Sequence, residues 1–233
     1  MPDNVLLEIC LDSVESAIAA QDGGAHRVEL CDNLAEGGTT PTLAMIEQVR
    51  KSISIGLQIM IRPRAGDFVY SASEFEAMKK EIAIAKHLGA DGVVFGLLNV
   101  DSTVDKNRTK MLVGLAKPMS ITFHRAFDVI QEPFKALEDI IDCGVDRLLT
   151  SGQQSTASEG VSLIADLVER ARSRIIIMPG SGINKNNAGK IIAKTNVREI
   201  HVSTGVIDSS TRHNVVDAKN VQNLLMSITT SDT

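Results

Sequence analysis

The residues of this chain best suited to chemistry are two glutamates and two cysteines that recur with the same spacing. Glu8 and Cys10 end one short apolar run, and Glu29 and Cys31 end the next. Because side chains alternate faces along a β-strand, each glutamate points the same way as the cysteine two residues later. If the two runs are neighbouring parallel strands, about 4.8 Å apart, their carboxylates and thiols meet at one edge. Such a group could hold a soft metal ion or exchange protons.

Further polar residues follow the other apolar runs. They are Arg62 and Arg64, Asn99 and Asp101, His124, Arg125 and Asp128, Ser151, the loop Gly180-Ser181-Gly182, and His201 with Ser203. The glycine-rich loop follows the seventh run, a position at which backbone N–H groups of barrels commonly bind phosphate. We predict an anion-binding site made by Arg62, Arg64, Arg125, Asp128, Gly180, Ser181, Gly182, His201 and Ser203.

The same residues also allow a structural interpretation. Glu8 and Glu29 would then form ion pairs inside the mouth, because buried charges require partners. The arginines predicted to pair with them are Arg62, Arg64 and Arg125. The two cysteines would be small buried apolar side chains, and His124 would be a hydrogen-bonded packing residue. Cys143, at the end of a predicted helix, is expected to be inert.

The order of apolar runs and helical segments shows how these residues are positioned. Eight apolar runs, at 5–10, 26–31, 56–61, 93–95, 120–123, 147–150, 174–178 and 199–203, alternate with segments of helical pattern. Thr40-Pro41 predicts the start of the second helix, and Ser73 with Glu76 predicts the start of the third. Parallel strands buried on both faces have this apolar character. We predict one α/β domain over residues 1–233, a (β/α)8 TIM barrel, with a doubly wound open sheet as the alternative. The polar segment 205–214 is expected to be mobile.

Composition narrows the range of partners and locations. The formal net charge of −5 argues against nucleic acid and acidic membranes, which require a basic face. No apolar run reaches the roughly 18 residues that a membrane span needs, and residues 1–4 do not resemble a signal peptide. Three cysteines in 233 residues do not suggest a secreted disulfide framework. We therefore expect a cytoplasmic protein with reduced thiols.

Several of these stretches together resemble the CutC family, whose members are named for copper homeostasis. The matching stretches are Glu8–Cys10, Arg27–Cys31, Glu36–Pro41, Met60–Phe68, Phe123–Asp128, Leu149–Gly152, Met178–Ile183 and Glu199–Ser203. Ser102 and Ser181 stand where glycine is usual, and both changes fall in predicted loops. The resemblance implies a TIM barrel, a cytoplasmic location, a homodimer or higher homo-oligomer, and Cu(I) bound by the two cysteines that match Cys10 and Cys31.

These observations lead to one prediction of function and two alternatives. The prediction is a copper homeostasis protein in which Cys10 and Cys31 bind Cu(I), since soft thiolates select soft metals. The first alternative is an enzyme for a small phosphorylated or carboxylated metabolite, with Glu8 and Glu29 as the acid–base pair and His124 assisting. The second is a barrel that serves only as a scaffold, whose polar mouth residues would be dispensable.

Overall fold

The computed structural model describes residues 5–207 and 215–229, and strands alternate with helices throughout these two ranges. The strands are β1 (Leu6–Leu11), β2 (Arg27–Leu30), β3 (Gly56–Met60), β4 (Gly92–Phe95), β5 (Ser120–Phe123), β6 (Arg147–Thr150), β7 (Ile176–Pro179) and β8 (Glu199–Val202). The helices are α1 (Val14–Asp22), α2 (Leu43–Ser52), α3 (Ala72–His87), α4 (Lys106–Ala116), α5 (Pro133–Asp142), α6 (Val161–Ala171), α7 (Ala188–Thr195) and α8 (Ala218–Thr229). Short 3-10 helices span Leu34–Glu36, Arg125–Val129 and Thr204–Val206.

The eight strands form one parallel sheet that curves into a nearly closed barrel. Its order is β7-β6-β5-β4-β3-β2-β1-β8, so β1 pairs with both β2 and β8. The ends of the sheet, β7 and β8, lie side by side. This arrangement confirms the predicted TIM barrel and excludes the open doubly wound sheet. It also brings the carboxyl ends of all eight strands to one mouth, where barrel enzymes place their sites.

The core consists of apolar strand residues and of one apolar face on each of several helices. In α3, for example, Phe75, Met78, Ile82 and Ala85 are buried. Their spacing of three and four residues is the helical period that places side chains on one face. Burial of such faces against the strands is the main source of stability for the barrel.

Two of the predicted helix starts are wrong by about half a turn. Helix α3 begins after Ser71, whose Oγ accepts a hydrogen bond from the backbone N–H of Glu74 (3.2 Å), while the Glu74 carboxylate accepts one from Ser71 N (2.7 Å). This capping box lies two residues before the predicted one. Helix α2 begins after Thr42. Thr40 instead holds the loop, because its hydroxyl donates to Glu81 (2.8 Å) and accepts from Arg62 N (2.8 Å).

Parts of two further predictions lie outside the described residues. These are residues 208–214 of the segment expected to be mobile, and residues 1–4 at the N-terminus. Within the remainder of that segment, Ile207 forms a bridge with Val216. Among the helices of the described ranges, none has the length and apolar character required to cross a bilayer.

Candidate metal and ligand site at the barrel mouth

The two cysteines meet at the carboxyl ends of β1 and β2. The strands pair with Glu8 opposite Arg27 and Cys10 opposite Glu29, and Cys31 follows the last residue of β2. The two sulfur atoms are 3.8 Å apart, and the sulfur of Cys31 is 3.5 Å from Oε2 of Glu29. Of the two thiols and two carboxylates that were predicted to converge, both thiols and Glu29 therefore lie together.

The two thiols differ in their access to the mouth. Cys10 lines the central cavity, whereas Cys31 is only 1% exposed and lies behind it. Gly38, with a φ of +85°, covers Cys31, and a Cβ atom at this glycine would lie 3.1 Å from the sulfur. Only glycine tolerates both this conformation and this approach without strain. The loop after β2 thus closes directly over one of the two sulfurs.

His201 joins this group from β8, the other neighbour of β1. Its Nδ1 donates to Oε1 of Glu8 over 2.8 Å, and its Nε2 lies 3.8 Å from Oε2 of Glu29. Glu8 also forms a buried ion pair with Arg27. We refer to Glu8, Cys10, Glu29, Cys31 and His201 as the mouth cluster.

Proton affinities in the mouth cluster are strongly shifted by burial and by neighbouring charges. Burial alone would raise the pKa of Glu8, but Arg27 and His201 together lower it to about 2. Burial alone would lower the pKa of His201, but its hydrogen bond with Cys10 and the charges of Glu29 and Glu8 raise it well above its usual value. Glu8 is therefore an anion that holds an imidazolium in place, and it is poorly suited to exchange protons itself.

The pKa values of the two thiols and of Glu29 are shifted in different directions. The hydrogen bond from Cys31 lowers the pKa of Cys10 to about 5, with a further contribution from His201. The same hydrogen bond, together with burial, raises the pKa of Cys31 well above its usual value. Burial, followed by the charge of Cys10, raises the pKa of Glu29. Within the cluster, negative charge is therefore favoured on Cys10, beside the His201 ring, and disfavoured on Cys31 and Glu29.

The mouth cluster forms one wall of a cavity of about 440 Å³. The lining residues from other strands and loops include Leu34, Gly37, Met60, Arg62, Phe68, His124, Arg125, Asp128, Val129, Leu149, Ser181, Gly182, Ile183 and Ser203. A cavity of this size accommodates a small organic molecule as well as a metal ion. Most of the predicted anion-binding residues thus line the cavity, whereas Gly180 and Arg64 do not belong to its lining.

The guanidinium groups of Arg62 and Arg64 bind protein groups. Arg62 donates to the carbonyl oxygens of Glu36 (3.0 Å), Gly38 (2.8 Å) and Gly66 (2.9 Å), and it thereby secures the loop over Cys31. Arg64 pairs with Asp67 (2.9 Å) and Glu74 (2.5 Å). The predicted ion pairs from Glu8 and Glu29 to Arg62, Arg64 or Arg125 are wrong. Within the described residues, Glu8 pairs with Arg27 from the adjacent strand, and the ionic neighbour of Glu29 is His201.

On the β5–β6 side, Asp128 organises the loops rather than facing a ligand freely. Its carboxylate accepts hydrogen bonds from Oγ1 of Thr150 (2.5 Å) and from the Ser151 backbone N–H and hydroxyl (3.0–3.2 Å). It also pairs with Arg125 over 2.8 Å. Arg125 remains 43% exposed in its side chain and reaches Ser151. Asp128 therefore positions Arg125 at the cavity rim.

The glycine-rich loop after β7 borders the cavity with a backbone of unusual conformation. Ser181 and Gly182 have φ values of +81° and +68°. The hydroxyl of Ser181 donates to the carbonyl oxygen of Ser155 (2.9 Å), which ties this loop to the one after β6. Gly180 lies just before, and a Cβ there would be 2.7 Å from the side chain of Leu149. Ser181, Gly182 and Ser203 line the cavity, and anion binding by these residues stays a prediction.

Below the mouth, Glu8 joins three charged residues that the sequence did not single out. Arg27 and Arg147 both pair with Glu199 over 2.5 Å, and Arg27 also pairs with Glu8. We call Glu8, Arg27, Arg147 and Glu199 the charged layer. Arg27, Arg147 and Glu199 are each the first residue of a strand. The sequence alone does not show that these three side chains point into the barrel. Their burial and their mutual ion pairs in the structure identify them as a layer.

Comparison with known proteins agrees with this architecture. The sequence profile of the CutC family matches residues 5–206. A CutC family protein of Chromobacterium violaceum is 50% identical over 209 residues, which cover 89% of this chain and 85% of that protein. The human copper homeostasis protein cutC homolog is 48% identical over 198 residues, covering 85% of this chain and 72% of the human one. The solved structure of a CutC protein from Streptococcus agalactiae has a TM-score of 0.81 at 33% identity, covering 85% of this chain and 98% of that chain.

The fold and the site together define a class of protein. It is a (β/α)8 barrel whose mouth carries two cysteines, two buried glutamates and a histidine beside one cavity. Within that class, the chain belongs to the CutC family.

Proposed function

We propose that this chain binds Cu(I) through Cys10 and Cys31 and serves copper homeostasis. The observation that carries the proposal is the distance of 3.8 Å between two sulfur atoms that form no disulfide. The copper homeostasis names of its relatives support the same function. Cu(I) is a soft ion, so it prefers thiolate ligands to the oxygen ligands that hard cations select.

The geometry of the sulfur pair fits a soft ion with a third ligand. Metal–thiolate bonds of about 2.3 Å, as found for zinc, would place two sulfurs in a straight line about 4.6 Å apart. The shorter distance here favours a bent arrangement, which leaves one side of the ion for Glu29 or His201. Ligand atoms of Cys10, Glu29 and Cys31 all lie within 4.8 Å of one another. The pKa of Cys10, lowered to about 5, favours the thiolate that a metal ligand requires, and binding would release the proton of Cys31.

Location and assembly complete the proposal. We propose a cytoplasmic protein, because a reducing compartment keeps Cys10 and Cys31 available as thiols. We also propose a homodimer or a higher homo-oligomer, as the family resemblance implies. Both statements can be checked by cell fractionation and by light scattering on the purified chain.

The decisive experiment is an anaerobic titration with Cu(I) in competition with a chromophoric chelator. We expect the wild type to bind one ion per chain, and the Cys10→Ser/Cys31→Ser variant to lose that binding. Cys143→Ser is the matched control, since Cys143 is buried at the end of α5, away from the mouth. Binding that survives the double substitution, or that is lost with Cys143, would contradict the proposed site.

A second candidate function is an enzyme for a small phosphorylated or carboxylated metabolite. The observation that favours it is the cavity of about 440 Å³, which exceeds the space that one metal ion needs. In this function Glu29 and His201 would exchange protons, with Glu8 positioning His201, because Arg27 keeps Glu8 ionised. Arg125, Gly182 and Ser203 at the rim would receive the anionic group. This candidate predicts saturable metabolite binding that persists in the double cysteine variant.

A further inference from the structure

His124 lies at the end of β5 with one ring nitrogen in use. Its Nδ1 accepts a hydrogen bond from the backbone N–H of Ala126 (3.2 Å) and thereby caps the short 3-10 helix Arg125–Val129. A nitrogen that accepts cannot carry the proton of a neutral imidazole. The proton must therefore reside on Nε2, which makes this atom a hydrogen-bond donor.

The donor on Nε2 lacks an acceptor within the protein. His124 is 97% buried, since its exposure is 3%, and Nε2 finds no hydrogen-bond partner within residues 5–207 and 215–229. A buried donor without a partner costs free energy, and native proteins rarely keep one without a reason. Burial, and then the charge of Arg62, lowers the pKa of His124 to about 3. The ring is therefore neutral at physiological pH and offers one uncharged N–H group.

The imidazole is held rigidly in the cavity wall. The ring of Phe68 lies 4.9 Å from it, centroid to centroid. On another side, Gly96 allows the backbone just after β4 to approach closely, because a Cβ atom there would lie 2.6 Å from Nδ1. A side chain fixed in this way loses little conformational entropy when a ligand binds. Both His124 and Phe68 line the central cavity.

A second polar atom in the same cavity also lacks a partner. Oε1 of Glu29 is buried and makes no hydrogen bond to the described part of the chain. Glu29 lies on β2, and His124 directly follows β5. Among the described residues, Arg62 also lines this cavity and has an unpaired buried Nε atom, so three of its lining residues carry a polar atom without a partner. Such atoms around one cavity of about 440 Å³ are expected for a site that is completed by a small molecule.

We propose that the mouth cavity binds a small carbonyl or carboxylate compound, whose oxygen accepts the hydrogen bond from Nε2 of His124 while Phe68 packs beside it. A neutral histidine in this role can polarise a carbonyl group without introducing a charge. The proposal is independent of copper binding. It rests on the second candidate function only for the premise that the cavity admits an organic molecule.

The test uses the metal-free full chain with 15N-labelled histidine. The probes are pyruvate, 2-oxoglutarate and malate as carboxylates, dihydroxyacetone as a neutral carbonyl compound, inorganic phosphate, and propylammonium, which has no acceptor. We expect a carboxylate or carbonyl probe to shift the Nε2–H resonance of His124 and to raise the melting temperature with concentration. Propylammonium should do neither. Comparison of the probes distinguishes a carboxylate from a neutral carbonyl ligand and from phosphate.

Two variants separate the hydrogen bond from general effects on the fold. His124→Asn keeps an acceptor for Ala126 N but lacks the Nε2 donor, so probe affinity should fall about five- to tenfold. His87→Asn on the exposed face of α3 is the control and should bind as the wild type does. Val129→Trp places a large side chain at the exposed rim of the cavity, so it should weaken probe binding. The resonances of the His124 ring in the ligand-free protein should not change.

The possible failures can be told apart. Equal probe affinity in the wild type and in His124→Asn would overturn the role of His124 but leave the metabolite function standing. Absence of any probe effect on the wild type would overturn both. Probe binding by the Cys10→Ser/Cys31→Ser variant would support the proposal, and loss of probe binding there would show that the ligand depends on the thiols instead of on His124.

Discussion

At the scale of single residues, the two cysteines of the mouth cluster contact each other and have opposite properties. Cys10 receives the hydrogen bond from Cys31, faces His201 and lines the cavity. Cys31 supplies that hydrogen bond, faces Glu29 and is shielded by the loop at Gly38. Two cysteines that occupy equivalent places in the sequence pattern therefore differ in exposure and in pKa in the folded protein.

This difference predicts selective alkylation of Cys10 by iodoacetamide. Since the thiolate is the reactive form and the pKa of Cys10 is about 5, its rate should level off near pH 6. Cys31 and Cys143, whose pKa values are raised, should react only in alkaline solution. Peptide mass spectrometry of the metal-free protein measures all three rates.

The control for this experiment is the protein unfolded in guanidinium chloride, in which all three cysteines should react alike with a pKa of about 8.5. If Cys10 in the native protein followed the same pH profile as Cys143, the proposed thiolate–imidazolium pair would be wrong.

At the scale of elements, the strand order was predictable from the sequence, whereas the register was not. The repeated Glu-x-Cys pattern predicted neighbouring strands with both glutamates and both cysteines at one mouth, and β1 and β2 are indeed neighbours. Barrel closure staggers adjacent strands, however, and this shear places Cys10 rather than Glu8 opposite Glu29. Glu8 consequently meets Arg27 and His201. The pairing partners could not be read from the pattern, because a stagger of two residues preserves every side-chain direction.

Two loop residues have backbone conformations that the sequence did not reveal, and one of them leads to a prediction. Ser102 and Ser181, which replace the glycine usual in the family resemblance, have φ values of +61° and +81°. Residues with a Cβ atom pay about 1–2 kcal/mol in this conformation. Ser102→Gly keeps the backbone hydrogen bond from residue 102 to Asn99 O (2.9 Å) and should raise the free energy of unfolding by about 0.5–1 kcal/mol.

Denaturant titration measures this change, and Ser73→Gly serves as the matched control. Ser73 is an exposed residue of α3 with helical backbone, so glycine there should lower the stability by about 0.5 kcal/mol. Opposite signs for the two substitutions are expected. A loss of stability in Ser102→Gly would show that the positive φ at residue 102 carries no strain.

At the scale of the whole molecule, the charged layer joins strands that are far apart in sequence. Glu199 on β8 accepts hydrogen bonds from Arg27 on β2 and from Arg147 on β6, and Arg27 continues to Glu8 on β1. All four side chains are at least nine-tenths buried. The sequence could not reveal this layer, because each member is a single charged residue at or near a strand start, and only barrel closure brings them together.

The charged layer predicts a large loss of stability when one member becomes neutral. Glu199→Gln leaves two buried arginines with a single carboxylate, so the free energy of unfolding should fall by about 3–5 kcal/mol. Arg147→Met should cost less, because Glu199 keeps its pair with Arg27 over 2.5 Å. Glu138→Gln, which removes the exposed pair with Arg174, should cost less than about 1 kcal/mol.

Guanidinium unfolding, followed by circular dichroism, should show one transition if residues 1–233 form the single predicted domain. A Glu199→Gln protein as stable as Glu138→Gln would mean that the layer specifies the barrel interior without stabilising it.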